Sequence, residues 1–415
     1  DTAGNVSSAS SALTVTVDQT RPTVTSIVRA SSAAALTNTS PVFTVTFSES
    51  VSGVVAANFS ANKGTGVSGT ESIAVSGSGT TWTVTVSGLT GDYGTNTNAT
   101  VGLTVVPGTT ISDTAGNLLT SATVSGTNES YNLDTTTPTY AITYSRTAPL
   151  NAGAVTLTVT ANEALSAAPT ISINQPGTTD ISSASTTGSG PYTYAYTVVA
   201  ANAGTYVDGT ATVTVSGSDL AGNTGTSITS GGTFAIDTTA PSVALTYAIA
   251  SSVPANATAA GNLTFSSSLS RPVTVGDIVV VKAVTTEATA LASALSLSLS
   301  GSRTITALET YTTSTSVGTT YFTHTVASGN DATVTVSVTG PDTAGNAASA
   351  SGTTTFIVDT TAPTVALTYS LDASTYNASV ARPVKSGDTV TIKATMTEAV
   401  ALSAAPTITL TATGG

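Results

Sequence analysis

A short joint, Asp-x-Thr-x-Pro, recurs along the chain and constrains its fold more than any other feature. It starts at Asp18, Asp134, Asp237 and Asp359, and it reads DQTRP, DTTTP, DTTAP and DTTAP. The final proline fixes its own φ, lacks an amide donor, and pushes the preceding residue into an extended conformation. A joint this short cannot act as a random-coil tether. We therefore expect successive domains to follow one another closely, as a semi-rigid rod.

A second motif, Asp-x-Ala-Gly-Asn, precedes every joint by nearly the same distance, and two motifs with a shared spacing define an internal repeat. It starts at Asp1, Asp113, Asp219 and Asp342. The first motif opens the chain, so we expect the sequence to be a window on a longer polypeptide. The predicted organisation is the last strand or strands of a preceding repeat at 1–17, three repeats at 18–133, 134–236 and 237–358, and the N-terminal half of another at 359–415.

The segments between the joints predict the fold class. They are short, they alternate apolar residues with Thr or Ser, and Gly, Ser and Asn separate them, as in TWTVTVSGL from Thr81. Such alternation is typical of strands with one buried face, and branched residues favour the pleated conformation. About seven strands in each repeat indicate an immunoglobulin-like sandwich. We therefore predict an all-β protein of tandem immunoglobulin-like β-sandwiches, arranged end to end.

Composition excludes several classes of function. The chain has 10 basic and 22 acidic residues, a net charge of −12, one histidine and no cysteine. So few basic residues cannot form a phosphate-binding face, and nucleic acid is excluded as a partner. Without cysteine there is no disulfide, thiolate metal site or thiol catalysis. No apolar run is long enough for a membrane helix, so we expect no membrane insertion within this window. No catalytic residue is predicted, and the protein is expected not to be an enzyme.

Carboxylates recur in each repeat and suggest a metal site. A strand that follows each joint ends in a glutamate, and one pole of a sandwich can gather this glutamate, the joint aspartate and the motif aspartate. Three clustered carboxylates repel one another, and Ca²⁺, which takes six to eight oxygen ligands, would relieve that repulsion. The candidate ligands are Asp18, Glu49 and Asp113; Asp134, Glu163 and Asp219; Asp237, Glu287 and Asp342; and Asp359 with Glu398. Simple turn chemistry of the aspartates is the alternative.

Aromatic residues and the single histidine recur at similar places in one strand of each repeat. Trp82, Tyr194 and Phe322 are interpreted as equivalent core residues, although aromatic side chains can also stack on sugars. His324 lies where the other repeats carry Val84 and Tyr196. A catalytic histidine needs a nucleophile on a strained turn beside it, and the sequence marks none. We therefore predict that His324 is a packing or surface residue.

The paired motifs D-x-A-G-N and V-D-T-T-A-P resemble the bacterial immunoglobulin-like repeats of large surface adhesins and other secreted surface proteins, over essentially the whole chain. The resemblance implies an extracellular, cell-surface location and a non-catalytic stalk, with calcium at the junctions marked by Asp18, Asp134, Asp237 and Asp359. Arg21 departs from the pattern and weakens the first site. The alternatives are a subunit of an extracellular filament, sheath or surface layer, and a spacer or carbohydrate-binding array of a secreted hydrolase. Partners would be other copies of the chain, or host and surface ligands bound outside this window.

Overall fold

A computed structural model describes most of the chain and divides it into two compact units, Asp1–Ile236 and Asp237–Gly415. The described residues are 1–106, 110–177, 181–202, 205–287, 290–307, 317–329, 331–398, 402 and 404–411. Nearly all of the regular structure is β, which confirms the predicted fold class. The first unit holds two sandwiches, and the second holds one sandwich followed by a hairpin.

The first sandwich consists of two four-stranded sheets. One has the order β1-β3-β5, with β7 also paired to β3, and the other has the order β2-β8-β6-β4. β5 folds back on itself where Gly77 and Gly79 adopt positive φ. Its strands are β1 (Val24–Arg29), β2 (Leu36–Thr37), β3 (Val42–Ser52), β4 (Phe59–Lys63), β5 (Val67–Gly91), β6 (Thr100–Val105), β7 (Ser112–Asp113) and β8 (Ser130–Leu133), with 3₁₀ turns at Ala30–Ser32 and Ala56–Asn58.

The second sandwich pairs a four-stranded sheet, β13-β10-β9-β16, with a five-stranded sheet, β12-β11-β14-β15, to which β17 adds beside β14. β16 runs parallel to β9. Its strands are β9 (Thr139–Tyr144), β10 (Gly153–Ala161), β11 (Thr170–Asn174), β12 (Ile181–Ser185), β13 (Tyr192–Val198), β14 (Gly209–Ser218), β15 (Thr224–Gly225), β16 (Ser227–Ser230) and β17 (Thr233–Ile236).

The second unit repeats this plan in sheets of order β21-β22-β19-β18-β24 and β20-β23-β25, followed by the hairpin β26-β27. Its one described helix, α1 (Ala257–Gly261), is capped by Asn256, whose Oδ1 accepts from the amide of Ala259 at 2.8 Å. Its strands are β18 (Ser242–Ala250), β19 (Ile278–Thr286), β20 (Ser296–Leu299), β21 (Thr306–Ala307), β22 (Val317–Thr325), β23 (Ala332–Thr339), β24 (Ser349–Ser351), β25 (Thr355–Val358), β26 (Thr364–Ser370) and β27 (Thr391–Thr397).

Each sandwich has its own apolar core, filled from both sheets. The main cores draw on residues between 24 and 133, between 140 and 236, and between 243 and 358. Burying one such aliphatic or aromatic side chain contributes about 1.5–3 kcal/mol. The cores thus lie inside the three repeats proposed from sequence, whose boundaries stay a prediction. Among the described residues, no helix is long and apolar enough to span a membrane.

Strand register places the aromatic residues and His324. Tyr194 pairs with Leu157, and Phe322 pairs with Val281. Leu157 and Val281 each lie six residues before the glutamate that follows their strand. Trp82 instead pairs with Val45, in a strand of irregular register near Glu49, and it is half-buried against the first core. His324 is buried, as predicted for a packing residue. The aromatic residues therefore take part in the cores.

Candidate cation site at the repeat junctions

The Asp-x-Ala-Gly-Asn motif forms the same closed turn in each repeat. In the second sandwich, the amide of Asn223 donates to Oδ1 of Asp219 at 2.9 Å, and its side-chain Nδ2 donates to Oδ2 at 2.8 Å. Gly222 adopts a φ of +96°, which side-chain-bearing residues rarely adopt. The turns at Asp113 and Asp342 repeat both bonds. The motif therefore needs both its glycine and its asparagine for local geometry.

The motif asparagine also ties this turn to the joint. Nδ2 of Asn223 donates to the carbonyl oxygen of Asp134 at 3.0 Å, and Nδ2 of Asn346 donates to that of Asp237 at 2.8 Å. Nδ2 of Asn117 reaches the carbonyl of Asp18 at 3.2 Å. This contact gives a physical reason for the nearly constant spacing of the two motifs. The sequence analysis did not predict that the asparagine links them.

The joint aspartates close small turns of their own. Oδ1 of Asp134 accepts from the amide of Thr136 at 3.3 Å, and the equivalent bonds to Asp18, Asp237 and Asp359 span 2.9–3.3 Å. The turn chemistry considered as the alternative is therefore present at every joint. An ionised carboxylate has about four acceptor positions, so these bonds leave capacity for a cation.

The first junction brings together the three carboxylates predicted for it. One oxygen each from Asp18, Glu49 and Asp113 lies within 4.8 Å of the other two. Asp113 is buried, Glu49 is half-buried and Asp18 is exposed. Desolvation, followed by the charges of Asp113 and Asp18, raises the pKa of Glu49, whereas the side-chain amide of Asn117 lowers the pKa of Asp113.

The second junction is more strongly desolvated. Oxygens of Asp92, Asp134 and Glu163 lie within 4.8 Å of one another. Both carboxylate oxygens of Glu163 are buried and have no hydrogen-bond partner among the described residues. Burial, and then the charges of Asp134, Asp219 and Asp92, raise the pKa of Glu163 to about 7. Burying an ionised carboxylate without a partner costs free energy. Glu163 is therefore a candidate ligand for a cation.

Asp92 was not found from the sequence. It lies in the loop that follows β5 in the first repeat. Its backbone pairs with that of Asp134, at the start of the second repeat, in an isolated antiparallel β-bridge. Gly94 in the same loop donates its amide to Oδ2 of Asp134 at 2.9 Å. A Cβ at Gly94 would lie 2.0 Å from Oε2 of Glu163. The only sequence signal is the acidic turn GDYG, which does not recur in the other repeats.

The remaining predicted ligands are arranged differently. Among the described residues, two carboxylate trios meet within 4.8 Å, and neither contains Asp237, Glu287 or Asp342, although all three are buried. Asp359 and Glu398 line a common cavity of about 410 Å³ together with Arg271. The candidate cation sites with the closest carboxylates are therefore those of the first and second junctions.

Comparisons with known proteins find distant structural similarities. No protein-family model matches the chain, and no curated protein matches it. A structure of a 1.5-MDa bacterial ice-binding adhesin is 20% identical over 82% of this chain and 98% of its own, with a TM-score of 0.34. A tetra-tandem repeat from the extending region of a large adhesion protein is 18% identical over 90% and 88%, with a TM-score of 0.25. A putative membrane-anchored protein from Corynebacterium diphtheriae is 10% identical over 81% and 89%, with a TM-score of 0.21.

Proposed function

We propose that the chain is a non-catalytic part of the stalk of a cell-surface adhesin, stiffened by calcium at its repeat junctions. The observation that carries the proposal is the second junction, where Asp92 from one repeat meets Asp134 and Glu163 from the next. A cation held there would bind side chains from both sandwiches. This would give the repeated acidic joint a mechanical role.

The donor set fits calcium. All the candidate ligands are carboxylate oxygens, which Ca²⁺ prefers, and they come from loops and strand ends, which tolerate its flexible coordination geometry. Both oxygens of Glu163 are buried and accept no hydrogen bond from the described residues, so their lone pairs are available to a hard cation. Asp92, Asp134 and Glu163 would hold the ion at the second junction, with Asp219 adding negative charge nearby. At the first junction, the ligands would be Asp18, Glu49 and Asp113.

Calcium should raise the thermal stability of the chain, because binding to the folded state alone stabilises it. Calcium at 100 times its dissociation constant adds about 2.7 kcal/mol for one site. We expect melting in calcium to occur at a higher temperature than melting in chelator, and we expect Asp92→Asn to shrink the difference. Glu71→Gln is the matched control, because Glu71 pairs with Lys63 on the surface of the same repeat.

Stiffening can be measured separately from stability. The chain has no cysteine, so Ser78→Cys and Ser189→Cys allow spin labels at one exposed position in each of the first two repeats. Calcium should narrow the distribution of distances between the two labels, and Asp92→Asn should broaden it again. An identical melting temperature and distance distribution with calcium and with chelator would contradict the proposal.

A further inference from the structure

The loop between β22 and β23 reaches the joint that starts at Asp359. The amide and the hydroxyl of Thr360 both donate to Oδ1 of Asp331, at 2.5 and 2.6 Å, and the hydroxyl of Thr361 donates to Oδ2. The amide of Gly329, in the same loop, donates to Oγ1 of Thr360 at 3.0 Å. We call these contacts the Asp331 clasp. One carboxylate of the third sandwich thus holds two consecutive residues of the joint.

The backbone of the third sandwich holds the start of the same joint. The amide of Asp359 donates to the carbonyl of Val273 at 2.9 Å, and the amide of Val273 donates to the carbonyl of Ile357 at 2.9 Å. Oδ1 of Asp359 also accepts from the amide of Thr361 at 3.3 Å. Three successive joint residues, 359–361, are therefore held by hydrogen bonds within the chain.

The clasp uses an ionised acceptor. Hydrogen bonds from the side chains of Thr360 and then Thr361 lower the pKa of Asp331, so the carboxylate is charged at neutral pH. Bonds to an ionised oxygen are shorter and stronger than bonds between neutral groups. A carboxylate has about four acceptor positions, and the two threonines fill most of them. The joint itself therefore supplies the donors that this charge requires.

The first sandwich shows a different use of an aspartate in the corresponding loop. The loops correspond because β6 and β23, which follow them, each pair with the strand that leads into a joint. Asp92 accepts from the amide of Thr95 at 3.1 Å and from its hydroxyl at 2.6 Å. These donors belong to its own loop, and the carboxylate lies close to Asp134 and Glu163. Asp92 therefore approaches other carboxylates, whereas Asp331 binds the joint directly.

The carboxylates of the joint at Asp359 are also arranged unlike those of the first and second junctions. Among the residues that the structure describes, neither trio of close carboxylates contains Asp359 or Glu398. Both residues line their cavity together with Arg271, whose guanidinium holds Asp277 through bonds of 2.6 and 2.9 Å. Two acidic residues beside a guanidinium attract a divalent cation less than three close carboxylates do.

We propose that the joint after the third sandwich is held by direct contacts, with Asp331 as its positioning residue, and that it stays ordered without calcium. The clasp fixes the direction in which β26 follows β25. Its residues lie outside both calcium clusters, so the proposal holds or fails independently of calcium binding at the second junction. The proposed stalk would then contain cation-dependent and directly clasped junctions in one chain.

Spin labels on either side of the joint test this proposal in the full chain. Ser298→Cys and Thr395→Cys place the labels at exposed positions of β20 and β27. In chelator, we expect a narrow distribution of distances that added calcium does not change. Asp331→Ala should broaden it. The amide of Thr360 should also exchange with solvent about tenfold faster in this variant, because it loses a bond to an ionised acceptor.

Further variants separate the clasp from general destabilisation. Asp331→Asn should give intermediate values, because its Oδ1 still accepts from the amide of Thr360, and Thr361→Val should remove one hydroxyl contact without emptying the loop. Asp92→Asn is the matched control and should match the parent. Unchanged amide exchange at the buried Val334 shows that the third sandwich is folded. A broad parental distribution in chelator, narrowing by calcium, or parental values in Asp331→Ala would overturn the proposal.

Discussion

The first and second junctions use the same motifs, yet their carboxylates lie in different environments. At the first, Asp18 is exposed, and Glu49 is half-buried. At the second, Asp134 is buried, and both oxygens of Glu163 are shielded from solvent. At the second junction, the loop that carries Asp92 and Gly94 packs from the preceding repeat onto the joint. Residues 1–17, which precede the first joint, are exposed and form no strand.

The two junctions show that the motifs and the surrounding loops control different properties of the carboxylates. At the first junction, the motifs bring the joint aspartate, the strand glutamate and the turn aspartate within 4.8 Å of one another. At the second, the joint aspartate and the strand glutamate meet Asp92 instead, and the turn aspartate Asp219 contributes a nearby charge. Desolvation by the covering loop then raises the pKa of Glu163 to about 7. We infer that a covered junction is the stronger candidate for a cation, because poorly solvated ligands gain most from a counter-charge.

The largest expected effect concerns the asparagine that links turn and joint. Asn223→Ala removes the two side-chain hydrogen bonds from Nδ2, to Oδ2 of the buried Asp219 and to the carbonyl of Asp134, so we expect a loss of about 2–3 kcal/mol in the second sandwich. Asn117→Ala should cost less, because Asp18 is exposed. Hydrogen exchange as a function of denaturant reports the free energy of opening for each sandwich. If the two variants lose equal free energy of opening, burial of the joint does not explain the difference between the two junctions.

A smaller effect is expected from Gly94→Ala. The new Cβ would lie 2.0 Å from Oε2 of Glu163, so the glutamate would have to move out of the cluster. We expect about tenfold weaker calcium binding at the second junction, equivalent to about 1.4 kcal/mol, with the first junction unaffected. Calorimetry of calcium binding measures this change. Gly102→Ala is the control, because its Cβ would meet no atom closer than 3.6 Å; identical binding by both variants would contradict the arrangement.

The smallest effect is a pH dependence in calcium-free buffer. The pKa of Glu163 is raised from 4.5 to about 7, so between these values the folded chain binds more protons than the unfolded chain. Its contribution to stability should therefore fall as pH rises from 4.5 to 7 and stay constant above that. Melting temperatures of Glu163→Gln should lack this part of the slope, while Glu49→Gln should change the slope less. A parental slope in Glu163→Gln would assign the titration to another group.

Much of the fold followed from local patterns. Alternation in segments such as TWTVTVSGL predicted strands, and Val84 and Val86 are indeed buried. The proximity of Asp18, Glu49 and Asp113 was expected from recurrent spacing, and their oxygens do lie close together. Asp92 was missed because its loop occurs in one repeat only.

The sequence by itself determined the all-β architecture, the recurrent joint and the residue types available to a cation, because strand alternation, proline and closed turns act over a few residues. The tertiary structure alone decided which carboxylates meet across a junction and which of them lose solvent. These outcomes depend on loops packed against residues far away in the chain, whose contacts leave no period or local spacing in the sequence.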